Sequence, residues 1–150
     1  MHCDICEIKN LIYGYADFLD RGDIDGLMSM FSGATLVALG PDGLESEVVG
    51  ERAIRELYCS YTRFYEDDGT PKTLHLTSNV IVKAEKGADK ASARSYAVVF
   101  QALDAFPLQP IIGVRYADLF ARQSGGWRFE RRSIETRLLG DLSHHLLQEI

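Results

Sequence analysis

The sequence predicts an α+β fold: a cone-shaped α+β barrel in which N-terminal helices cover a strongly curved antiparallel sheet. Three observations carry this expectation. Up to Tyr65, apolar residues recur mainly at helical spacings, interrupted by one short hairpin pattern. Beyond Thr73 the period changes to long strand-like runs joined by short polar connections. The chain has 150 residues and is 46% hydrophobic, which suits one core and a single domain spanning residues 1–150.

The first helix is read from Ile5, Ile8, Leu11, Ile12, Tyr15, Phe18 and Leu19, with Asp4 and Glu7 as a capping box. It ends at Asp20-Arg21-Gly22, where glycine takes the left-handed cap. Asp23 caps a short second helix through Phe31. Residues 34–39 and 44–49 form a hairpin around Gly40-Pro41-Asp42-Gly43, in which proline presets φ and glycine supplies a positive one. A third helix runs from about Glu51 to Tyr65. Residues 73–83, 91–104, 111–123 and 127–138 read as four strands of an antiparallel meander. Strands this long must bend to keep the sheet compact, and a bent sheet closed by helices leaves an interior pocket for a small ligand. The tail, Leu142–Ile150, reads as weakly helical.

Composition narrows the function. Sixteen basic against 22 acidic residues give a net charge of −6, and no basic block offers the face that nucleic acid requires. No apolar run approaches a membrane span, and Met1-His2-Cys3-Asp4 shows no secretory pattern, so a cytoplasmic protein is expected. The three cysteines, Cys3, Cys6 and Cys59, fit free thiols in a reducing compartment. His2, Cys3 and Cys6 fall short of a closed four-ligand zinc site, and no metal is expected.

Two polar residues stand out for chemistry. His75 shares a strand face with Thr73, Thr77, Asn79 and Ile81, while Leu74, Leu76, Val80 and Val82 form the opposite, apolar face. By periodicity alone the mixed face fits solvent, or a hydrogen-bonded core histidine, better than a polar pocket. Asp20 closes the first helix after Phe18-Leu19, a common place for aspartate, with Asp17 and Asp23 as neighbours. Spacing alone does not connect Asp20 with His75. Tyr96, Gln101 and Tyr116 lie on meander strands and are candidates for polar pocket groups; Tyr58 and Tyr61 read as core packing of the third helix.

Four segments, in order, resemble SnoaL-like proteins of the nuclear transport factor 2 superfamily. They are Ile8 to Asp20, Val49-Gly50-Glu51-Arg52-Ala53-Ile54, His75-Leu76-Thr77-Ser78-Asn79, and Tyr116 to Arg122 followed by Gly126-Trp127-Arg128-Phe129. The resemblance covers roughly residues 7 to 138. It implies the branch containing scytalone dehydratase and a dehydrochlorinase, in which an Asp–His dyad removes a proton as a leaving group departs. The matching positions are Asp20 and His75. Arg132 resembles an active-site arginine of that branch, with a surface arginine paired to Glu130 or Glu135 as the equal alternative. Tyr15 occupies a pocket-lining position. The chain departs from scytalone dehydratase in having Leu19 before Asp20 and no second histidine on an internal strand.

The resemblance therefore implies a cofactor-independent lyase of dehydratase type acting on a small cyclic or hydroxylated molecule. His75 would be the base, Asp20 its orienting partner, and Tyr15, Arg132, Tyr96 and Tyr116 the substrate contacts. An isomerase or cyclase would use the same dyad, and a non-catalytic ligand-binding or dimerisation module would use none of it. The small subunits of ring-hydroxylating dioxygenases share the fold but are longer. By the same analogy a homo-oligomer, dimer or trimer, is expected.

Overall fold

The computed structural model describes residues 3–150, so the expectation made of His2 lies outside the described residues. Helix α1 spans Asp4–Asp20 and α2 spans Ile24–Ser29. Strands β1 (Thr35–Leu39) and β2 (Glu45–Val49) form the hairpin, followed by α3 (Glu51–Tyr61). Four long strands complete the chain: β3 (Thr73–Ala84), β4 (Lys90–Leu103), β5 (Phe106–Gln123) and β6 (Gly126–Leu139).

The strands form one sheet in the order β2-β1-β6-β5-β4-β3. The meander is antiparallel as expected, and β1 joins it parallel to β6, with Leu36 opposite Arg132. Helices and sheet enclose Ile8, Ile12, Leu27, Met28, Phe31, Ile54, Phe120, Trp127 and Phe129, all essentially inaccessible to solvent. Phe31 stacks on Phe129 at 5.2 Å between centroids, so the turn after α2 is anchored on β6.

Several local expectations are corrected. Cys3, not Asp4, is the N-cap of α1, its Sγ accepting from the Cys6 N–H. Asp4 and Glu7 are drawn instead to Trp127, whose Nε1–H donates to Asp4 at 3.1 Å and whose backbone N–H donates to Glu7 at 2.8 Å. Cys3 and Cys6 are joined in a disulfide rather than free, since one helical turn brings their Cα atoms within 5.2 Å; Cys59 is an exposed thiol. Helix α3 stops at Tyr61 because Thr62 leaves helical geometry and bridges Leu146. The tail is therefore not helical; it pairs with the end of α3 and turns along it. Strand β5 begins at Phe106 despite Pro107 and Pro110, because that stretch pairs with β4 and has no ladder with β6 that would need the missing proline N–H groups. Among the described residues no helix is long and apolar enough to cross a membrane.

The facing of β3 also differs from simple alternation. Asn79 adopts φ 54°, and the pairing with β4 shifts between Ser78 and Ile81. This bulge reverses the strand's facing. Before it, Thr73, His75 and Thr77 are the more sheltered positions and Leu74 and Leu76 are exposed. After it, Val80, Val82 and Ala84 pack on the core. The apolar face expected to be continuous is thus split between the two sides of the sheet.

Candidate active site

The end of α1 places Asp20. Gly22 there has φ +68°, and a Cβ at this position would lie 2.2 Å from the Gly69 carbonyl oxygen. Only glycine permits both the turn and this close approach. The loop before β3 is thereby held against the helix end, and the first residues of β3 run past Asp20. The carboxylate accepts from the Thr73 hydroxyl at 2.8 Å, the His75 backbone N–H at 2.7 Å and His75 Nδ1 at 2.6 Å. An acceptor opposite Nδ1 selects the tautomer with Nδ1–H, so Nε2 carries the lone pair. The two side chains are only 8% and 15% exposed.

His75 forms part of the wall of a cavity of about 680 Å³. Asp20 stands behind it. Tyr15 and Leu19 of α1 contribute to the wall, with Leu57, Tyr58 and Tyr61 of α3. The sheet adds Val99, Ile112, Val114, Tyr116, Ile134 and Thr136. The lining is largely apolar, with a few hydroxyls, the imidazoles of His75 and His145, and the carboxylates of Asp42, Glu45 and Glu149. The Tyr15 and Tyr58 hydroxyls are 2.6 Å apart. Burial holds the phenol pKa values of Tyr15, Tyr58 and Tyr116 well above the ordinary range, so all three are neutral hydrogen-bonding groups at pH 7.

The other candidates divide. Tyr15 and Tyr116 are on the cavity wall. Tyr96 is not: it stands on the outward face of β4, 43% exposed, with the Arg115 guanidinium 5.3 Å over its ring. Gln101 is buried and binds the Pro71 and His144 carbonyls at 3.0 and 3.1 Å, tying loop to tail. Tyr58 and Tyr61, expected as core packing, are wall residues.

Arg132 meets neither expectation. It is 0% exposed, is not on the cavity wall, and pairs with neither Glu130 nor Glu135. Its Nε and Nη2 donate to the two oxygens of Asp118 at 2.8 and 2.9 Å. Its guanidinium lies 4.2 Å from the Tyr15 ring and 4.0 Å from the Tyr116 ring. Arg132 and Asp118 are direct cross-strand partners, which makes the bidentate pair geometrically natural. Burial works against its charge, but Asp118 outweighs that and holds its pKa above the usual arginine value.

One wall residue had no sequence signal. His145 reaches the cavity from the tail. Burial, with the nearby His75 adding to it, lowers its pKa to about 4, against a smaller opposing effect of Asp20. Its Nδ1 is buried without a hydrogen-bond partner among the described residues.

A family model described as SnoaL-like domain matches residues 2–133. Among curated proteins, none matches significantly. Solved structures share the fold. A nuclear transport factor 2-like protein with a cystatin-like fold from Novosphingobium aromaticivorans is 24% identical, with a TM-score of 0.73, covering 94% of this chain and 86% of that one. A protein of unknown function with a cystatin-like fold from Nostoc punctiforme is 22% identical, TM-score 0.71, with 89% and 91% covered. A provisionally assigned scytalone dehydratase from N. aromaticivorans is 20% identical, TM-score 0.69, with 91% and 86% covered. With its family-model match over most of its length and its helix-covered curved sheet, the chain belongs to the SnoaL-like family.

Proposed function

We propose that the protein is a cofactor-independent lyase that removes water, or a comparable leaving group, from a small cyclic or hydroxylated organic molecule. The observation that carries this reading is the 2.6 Å contact between Asp20 and His75 Nδ1, with His75 on the cavity wall. A neutral imidazole is available as a base near pH 7. Asp20 would hold the ring in its Nδ1–H tautomer and stabilise the imidazolium formed when Nε2 takes a proton. Tyr15, Tyr58 and Tyr116 supply neutral hydroxyls for the substrate's oxygens. Arg132, behind Tyr15 and Tyr116, would act through their rings rather than by touching substrate. The likeness to a provisionally assigned scytalone dehydratase supports the same class.

The experiment is a screen of cyclic and open-chain β-hydroxy ketones, read by mass spectrometry for loss of water and by NMR for exchange of the α-proton with solvent deuterium. His75→Ala and Asp20→Asn should each lower turnover by about 10²–10⁴-fold. Full turnover in His75→Ala would overturn the proposal. A product of unchanged mass would move the assignment to an isomerase using the same dyad.

The proposal includes a homo-oligomer, dimer or trimer. Leu74, Leu76, Ile81, Tyr96 and Leu119 are exposed on the meander strands and supply apolar surface for pairing. Sedimentation equilibrium tests it; a monomer at micromolar concentration would refute the oligomer.

A further inference from the structure

Resting on the dyad reading of the same cavity, we infer that the C-terminal tail is a working wall of the site, and that His145 hydrogen-bonds an oxygen of the bound molecule while His75 faces its acidic C–H.

The tail is fastened at successive residues. The His144 carbonyl accepts from the Tyr65 hydroxyl at 2.6 Å and from Gln101 Nε2 at 3.1 Å. The His145 carbonyl accepts from the Arg63 N–H at 2.8 Å, and the Leu147 N–H donates to the Tyr61 carbonyl at 2.8 Å. The His144 ring packs against Phe106 at 4.6 Å. Gly140 begins this course: its N–H donates to the Ile111 carbonyl at 2.8 Å, and a Cβ there would stand 2.9 Å from the Pro110 oxygen. With its backbone fixed on both sides, His145 has a defined place on the wall.

The two imidazoles of the cavity have different surroundings. His75 has a carboxylate partner. His145 has no hydrogen-bond partner for its buried Nδ1 among the described residues, and stays neutral above pH about 4. The ionisable groups near it are Asp20 and His75, with Tyr58, Tyr61 and Glu149 sharing the wall. Nδ1 is shut off from the cavity space, so a bond to a guest falls to the other ring nitrogen, Nε2, which has no hydrogen-bond partner among the described residues. A neutral imidazole donates to a carbonyl or accepts from a hydroxyl without competing for the proton that His75 removes. The ligand class is thus an uncharged, oxygen-bearing organic molecule.

The test uses phenol and benzene, matched in size and differing by one hydroxyl. Binding to the full chain is followed by long-range ¹H–¹⁵N spectra of the histidine rings. Phenol, and not benzene, should shift the His145 ring nitrogens. In His145→Ala, phenol affinity should fall by about three- to tenfold, the worth of one hydrogen bond, with benzene affinity unchanged. His145→Gln, which keeps an amide for bonding, should restore much of the phenol preference and serves if the alanine variant loosens the tail. Equal losses for both probes, or no loss for phenol, would overturn the inference. Failure of the dyad reading shows separately, as full turnover in His75→Ala; the phenol preference does not depend on turnover.

Discussion

Two carboxylates in this protein hold two basic partners, and their surroundings give them different work. Asp118 and Arg132 meet on adjacent strands, wholly buried, with aromatic rings against the guanidinium. Asp20 and His75 meet where a helix ends beside a strand, and the histidine borders a cavity. The first pair is wholly buried and is not on the wall of the cavity that His75 borders. The second contains a group that can change its proton and reach a guest. Resemblance placed Arg132 and His75 in one site; burial takes Arg132 off the cavity wall and leaves His75 on it.

The largest effect should come from breaking the buried pair. Asp118→Ala strands a buried guanidinium and should cost about 3–5 kcal/mol of stability, measured by urea unfolding. Asp20→Asn sharpens the contrast: it should cost about 1–3 kcal/mol, because the amide can still accept some of the bonds, while abolishing most turnover. A variant that loses stability like Asp118→Ala but keeps activity would erase the distinction.

A third prediction concerns His145. Its native pKa of about 4 lies below the 6.5 of an unfolded histidine, so the unfolded chain binds more protons between these values. Stability from this group is fully present above pH 6.5 and is lost as pH falls through 4. The displacement corresponds to roughly 3 kcal/mol at most. Urea unfolding of the wild type and His145→Gln between pH 7 and 4 should show a shallower loss in the variant. Parallel curves would remove His145 as the cause. The smallest effect should be Tyr58→Phe, which deletes the 2.6 Å contact with Tyr15 and should cost about 0.5–1.5 kcal/mol in the same unfolding assay.

Much of the architecture was legible because it follows from periodicity: the spacing along α1, the change of period after Thr73 and the polar turns between strands. Exceptions arose where distant residues compete for local ones. Trp127 takes Asp4 and Glu7 from a capping role, and the tail takes Thr62 and Tyr65 from helix α3. The site was less legible. Asp20 and His75 are 55 residues apart, and only the family resemblance connected them. His145 sits in a segment whose periodicity is weak and whose course is set by anchors on α3 and the following loop. Tyr96 was misplaced because a strand pattern gives alternation without saying which side is inside, and Arg132, taken from the resemblance, is engaged by Asp118 on the neighbouring strand. Asn79, a residue that tolerates positive φ, was the available signal that β3 does not keep one facing.

That inserted asparagine lets one strand serve two masters, offering its imidazole to the hollow at one end and its valines to the greasy interior at the other. Straightened into plain alternation with every residue kept, the strand would force a choice: keep the valines inside and His75 turns outward, or keep His75 inside and the valines meet water. The positive φ of one residue thus keeps the cavity imidazole and the packing valines on the same side of the sheet.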